Sequence, residues 1–247
     1  MHIPLTVPAF AIDWQRVRNA LTPKTRMILI NSPHNPSGAV LSAADLDELA
    51  AIVRDTDIVV LSDEVYEHIV YDGAQHESVL RHPELADRSI VVSSFGKTYH
   101  CTGWKVGYAV APAALSAEFR KVHQYLTFCT FHPAQAAFAE FLASDPAHCL
   151  ELPAFYQPKR DRFRALLRAS RFTLLDVPGG YFQLVDYSAI SDEDDLVFSR
   201  WLVQHGGVAA IPLTPFYERA PGTRLLRLCF AKSDATMDAA AERLCQL

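Results

Sequence analysis

The sequence predicts an α/β fold with a parallel-rich sheet, followed by a smaller α+β portion. Two observations carry this. Short apolar runs rich in Val, Ile and Leu recur between stretches of helical spacing through the first 110 residues. Past Asp145 the runs shorten and the order of strand and helix changes. The boundaries that follow are 1–145 for a large domain and 146–247 for a small C-terminal one.

Each element has a local reason. Arg26–Asn31, RMILIN, reads as a buried strand and ends in NSPHNPSG, a segment of turn-forming residues. Ser42 is placed to cap a helix with Asp45 as capping-box partner, and Leu46, Leu49, Ala50 and Val53 follow at helical spacing. Asp57–Leu61, DIVVL, is the next strand and leads into SDEVY. Strand, helix and strand within about forty residues make a parallel crossover unit. A third strand, Ser89–Val92, runs into SSFGKTYHCTGWKVGY. Ala114 to Ala143 reads as one long helical stretch with a break or kink at Pro133. In the second half, helices are expected at Arg160–Ala169, Asp194–His205 and from a Ser233 cap to the end. The last presents Met237, Ala240, Ala241 and Leu244 on one face. Strands are expected at Phe172–Leu175, Tyr181–Val185, Val208–Ile211 and Leu225–Phe230.

Composition narrows the function. The chain has 247 residues, half apolar (50%) and 21% charged, which suits a globular protein with a substantial core. The formal charge is −5 and no basic stripe is visible, which argues against a nucleic-acid partner. No apolar run approaches a membrane span, and MHIPLTVPAF lacks the pattern of a signal peptide. The five cysteines are scattered without a CxxC spacing, as expected of reduced thiols in a cytoplasmic protein. No HExxH or other ligand spacing occurs among the ten histidines, so no metal site is expected.

Three strand ends carry different chemistry: Asn35 after the first, Asp63 and Tyr66 after the second, Lys97 after the third. Ligands of open parallel sheets gather at such ends. Taken singly, Asp63 and Asn35 are ordinary turn residues, and Lys97 is an ordinary surface lysine. Ser94 precedes Lys97 by three residues and Lys105 follows it by eight, so a hydroxyl and a second cation flank it. An amine, a carboxylate, a phenol and an amide at one site suit pyridoxal phosphate chemistry. There a lysine forms a Schiff base and an anion holds the pyridine nitrogen protonated. FGKT also ends like a nucleotide-binding loop, but Val91 stands where that motif needs its first glycine. SFGK fits an SxxK motif, but the SDN and KTG partners are replaced by SDE and KTY.

Five motifs in order, NSPHNPSG, SDEVYEHIVYDG, SSFGKTYHCTGWKVGY, GVAAIPLTPFY and LRLCFAKS, resemble fold-type I pyridoxal phosphate enzymes of the class I/II aminotransferase family. The similarity runs from about Asp13 to Leu247 and is strongest to the branch of methionine, aromatic and kynurenine aminotransferases. It implies a partial large domain of the transferase fold plus the small C-terminal domain. It also implies pyridoxal 5′-phosphate as cofactor, amino acid and 2-oxo acid substrates, and a homodimer. By the same resemblance Lys97 is the Schiff-base lysine and Asp63 the partner of the pyridine nitrogen. Tyr66 and Asn35 donate to the ring hydroxyl, and Ser94 and Lys105 hold the phosphate. Arg227 grips the substrate carboxylate, with Asn35 beside it. Lys105 departs from an arginine common in relatives and makes a point-charge contact rather than a planar fork. The resemblance further implies an N-terminal portion ahead of this chain that supplies a phosphate-cradling turn, a ring stacked on the cofactor and part of the dimer interface. A carbon–sulfur lyase on the same fold and a truncated non-catalytic remnant stand as alternatives.

Overall fold

A computed structural model describes residues 1–247. The chain forms two compact units. One comprises 14–33 and 40–152; the other comprises 1–13, 34–39 and 153–247. The division is not a single cut after Asp145. The second unit takes in the first thirteen residues and the six-residue turn His34–Ala39.

The unit built on residues 14–152 opens with α1 (Trp14–Ala20), which the hydrophobic spacing does not announce, and then β1 (Met27–Asn31). Next comes α2 (Ala43–Val53), started by the expected capping box. Ser42 accepts from the Asp45 amide, and the Asp45 carboxylate accepts from Ser42 N at 2.8 Å. Such a cap is worth about 1 kcal/mol. The helix buries Leu46, Leu49, Ala50, Ile52 and Val53. β2 (Val59–Asp63), α3 (Pro83–Ala86), β3 (Ser89–Ser94) and the single turn α4 (Phe95–Thr98) follow, then β4 (Gly107–Val110). The sheet order is β1-β2-β3-β4. β1, β2 and β3 are parallel, with Asn31 opposite Asp63 and Asp63 opposite Val92. β4 is antiparallel to β3, so the sheet is mixed and parallel-rich. The backbones of β3 and β4 come close at Gly107, where a Cβ would lie 2.5 Å from the Ser93 carbonyl.

The long helical stretch is two helices, α5 (Ala113–Leu126) and α6 (His132–Ser144). The break falls between them, at 127–131. Pro133 lies in the first turn of α6, where its missing N–H costs no helical bond. α7 (His148–Leu166) starts well before the expected Arg160 and contains Pro153 and Pro158.

In the other unit, β5 (Thr173–Leu174), β6 (Phe182–Asp186), β7 (Ile211–Pro212) and β8 (Leu225–Cys229) form an antiparallel sheet of order β5-β6-β8-β7. The strand expected at Val208–Ile211 is reduced to the two-residue β7. α8 (Asp195–Trp201) precedes it, and α9 (Asp234–Leu244) closes the chain behind its Ser233 cap. Phe10, Leu184, Leu213 and Leu225 form part of the core of this unit. No helix is long and apolar enough to cross a membrane, and no cluster of His, Cys, Asp and Glu is arranged to hold a metal ion.

Candidate active site

Asp63, Tyr66, Ser94, Lys97 and Lys105 all belong to the unit with the parallel strands, and Asn35 and Arg227 belong to the other. Each group is built by its own elements.

Asp63 is the last residue of β2, and its backbone is tied down on both sides. Its carbonyl accepts from Ser32 N at 3.1 Å and from Asn31 Nδ2 at 2.9 Å. The next amide, Glu64 N, donates to the Val92 carbonyl at 2.9 Å and extends the β2–β3 ladder. The Asp63 carboxylate accepts from Val65 N at 3.2 Å. Burial pushes this carboxyl above the ordinary range. The Val65 bond and the Lys97 charge pull it down, and the Glu64 charge pushes it up. Lys97 is thus near enough to the end of β2 for its charge to be felt at Asp63. Tyr66 is buried, 2% exposed, and its carbonyl accepts from Ile69 N at 2.8 Å.

Ser94 ends β3 and Lys97 lies in α4, the turn that follows directly. That turn is held from several sides. Phe95 and Tyr99, two residues either side of Lys97, pack on Phe138 with ring centroids 5.0 and 5.8 Å away. Val106, Ala134 and Phe138 are the buried centre of this cluster. Thr102 Oγ1 donates to the Gly96 carbonyl at 3.2 Å, and His148 Nε2 donates to the Thr98 carbonyl at 3.0 Å. Two of the three consecutive carbonyls around Lys97 are therefore bonded, which limits where its side chain can start. Lys105 is exposed and has φ +56, so it turns the chain between the lysine segment and β4.

In the second unit Arg227 sits on β8, opposite Leu184 of β6 and Ile211 of β7. Its guanidinium lies over the Phe182 ring at 4.1 Å and near the Phe216 ring at 5.7 Å. Nη1 donates to Asn35 Oδ1 at 2.6 Å. The guanidinium face is thereby covered by aromatic carbon and its orientation set by an amide. Asn35 is presented by a closed turn. His34 N donates to the Ala39 carbonyl at 2.8 Å and Gly38 N to the His34 carbonyl at 2.7 Å. Gly38 has φ +78, and a Cβ there would lie 2.6 Å from the Gly179 carbonyl, so NPSG needs its glycine.

The sequence motifs do not single out three residues that hold this machinery, His148, Phe182 and Phe216, because their contacts with Thr98 and Arg227 join distant segments.

Compared with known proteins, residues 2–244 match the family described as "Aminotransferase class I and II". The methionine aminotransferase of Escherichia coli (strain K12) is 53% identical over all of this chain and 64% of its own length. The probable N-succinyldiaminopimelate aminotransferase DapC of Mycobacterium tuberculosis is 40% identical over 95% of this chain and 62% of its own. Mouse kynurenine–oxoglutarate transaminase 1 is 33% identical over 94% and 61%. A crystal structure of an E. coli protein described as having a methionine aminotransferase function superposes with a TM-score of 0.96, over 98% of this chain and 64% of that one. The chain therefore spans a little under two thirds of the length of these relatives.

Proposed function

Because the chain belongs to the class I and II aminotransferase family, a family dependent on pyridoxal phosphate, we propose that it forms the lysine-bearing part of an enzyme that moves an amino group from an amino acid to a 2-oxo acid. The observation that carries this reading is the pairing at adjacent parallel strand ends. A partly buried carboxylate closes β2, and the lysine follows within three residues of the end of β3, the strand that β2 pairs with in parallel. Methionine or an aromatic amino acid is the proposed amino donor. The support is the 53% identity to the methionine aminotransferase, with kynurenine transaminases among the other relatives. The assembly that goes with this reading is a homodimer.

The donor set fits pyridoxal phosphate: an amine, a partly buried carboxylate, a phenol, a hydroxyl and an exposed cation lie on the β2 and β3 ends and the segments that follow them. When bound, the cofactor supplies an aldehyde and a protonated ring that draws electrons from the substrate α-carbon. Lys97 would anchor the cofactor through Nζ, and that amine would serve as general base toward the α-proton. Asp63 holds the proton on the ring nitrogen, because an adjacent anion favours the charged ring. Tyr66 would donate to the ring hydroxyl. Ser94 and Lys105 hold the phosphate, the latter as a point charge. Arg227 takes the substrate carboxylate in a bidentate pair, its plane fixed by Phe182 and Asn35.

The test is the visible absorption spectrum with added pyridoxal phosphate, for the wild type and for Lys97→Ala. A lysine-dependent band that shifts on adding amino acid is expected. Identical spectra for the two proteins would refute the role of Lys97. Pyruvate and ammonia released without an oxo acid acceptor would refute amino-group transfer in favour of elimination.

A further inference from the structure

The most completely bonded buried carboxylate in the parallel-strand unit has no place in the reaction described so far. Glu64 follows Asp63 directly and is 1% exposed. One oxygen, Oε1, accepts from Ser62 Oγ at 2.9 Å and from Val79 N at 3.1 Å. The other, Oε2, is 2.8 Å from Nε2 of His76, whose side chain is 9% exposed. These donors come from β2 itself, from the loop that follows it, and from the short helical turn Val79–Arg81. A buried charge persists only when it is paired and bonded in this way. His76 Nδ1 is buried with no partner. Because Nε2 faces a carboxylate oxygen at hydrogen-bond distance, that nitrogen carries a proton and donates to Glu64.

We propose that Glu64, anchored by His76, is a positioning residue for Asp63: it fixes the end of β2 from the buried side and keeps a second negative charge behind the Asp63 carboxylate. The side chains of Ser62 and Glu64 share the buried face of the strand end, and that of Asp63 takes the other. A carboxylate and its neighbour thus divide two tasks, one facing the ligand and one locking the backbone that presents it. The charge adds an electrostatic effect. Burial alone would raise the Glu64 carboxyl, but the bond and charge of His76 and bonds from Ser78 and Ser62 outweigh it and hold the group below its ordinary range, so Glu64 stays an anion. That anion opposes the Lys97 cation in acting on Asp63 and makes Asp63 the stronger base. A stronger base is the better partner for a protonated ring nitrogen, and in this respect the proposal rests on the functional reading above.

The experiment follows the Asp63 carboxyl by 13C NMR titration in the unloaded chain, assigned with Asp63→Asn, with folding checked by circular dichroism. Glu64→Gln is expected to lower the titration midpoint of Asp63. His76→Ala, which removes the N–H that keeps Glu64 ionised, is expected to move it in the same direction. His76→Gln, which restores an N–H donor, is expected to return it toward the wild-type value. An Asp63 midpoint unmoved in folded Glu64→Gln or His76→Ala would overturn the proposal. If Glu64→Gln does not fold, the two His76 variants decide it. The titration uses no cofactor, so its failure is separable from failure of the Lys97→Ala spectrum, which bears on the functional reading.

Discussion

Acid should weaken the turn that carries Asn35, through His34. Burial lowers the His34 imidazole from 6.5 to about 4, so the ring is neutral in the folded protein at neutral pH. It is held by Nδ1, 2.7 Å from Ser37 Oγ, with the Phe10 ring 6.5 Å away. The group is more basic unfolded than folded. Its contribution to stability is therefore complete above about pH 6.5, falls as pH drops, and is lost below about pH 4. At roughly 1.4 kcal/mol for each decade of proton affinity, the full effect is at most about 3.5 kcal/mol. That is a large part of the roughly 5–15 kcal/mol that holds a domain folded. The assay is urea unfolding of wild type and His34→Gln at several pH values between 4 and 7.5, with the His34 Cε1–H resonance titrated in parallel. The wild type should lose more stability than the variant across this window, and the resonance should not titrate near 6.5. Equal losses in the two proteins, or an ordinary midpoint for the resonance, would refute the reasoning. Because the same turn gives Asn35 to Arg227, the guanidinium should also become less well oriented in acid.

Gly38→Ala should destabilise the protein by about 1–3 kcal/mol, since it sets a side chain at φ +78 and 2.6 Å from a carbonyl; a change within about 0.5 kcal/mol in urea would show the approach to be looser than described. Arg227→Lys keeps the charge but loses the face over Phe182 and the fork. The amino-acid concentration that half-saturates the spectral shift should therefore rise roughly tenfold or more, and an unchanged value would remove Arg227 from carboxylate recognition.

Much of the fold is legible in the sequence because its signals are local. The α2 capping box needs only Ser42 and Asp45, and the apolar face of α9 needs only helical spacing. The errors have local causes too. Ala114 to Ala143 contains no strong stop signal where the chain turns at 127–131, and Pro133 is the wrong punctuation mark, because proline is tolerated in a first turn. The reverse error occurs in α7, where Pro153 and Pro158 argue against a helix that nevertheless continues through them. β4 escapes a sequence reading because GYAV is four residues long, and its pairing with β3 is set by the close approach at Gly107.

By itself the sequence determined the chemical inventory: an amide, a carboxylate, a phenol, an amine and a guanidinium, in the order that the motifs carry them. Residue types and short spacings suffice for that, because a motif is local. The tertiary structure alone decided who stands beside whom. Asn35, read as one of three strand-end groups, is grouped with Arg227, 192 residues further along the chain, and its carbonyl oxygen is committed there. Glu64, adjacent to Asp63 in sequence, is separated from it by the alternation of the strand and sealed by a histidine twelve residues on. The physical reason is the same in both cases. A buried polar group must find its partner wherever the folded chain brings one, and no spacing rule records how a loop closes.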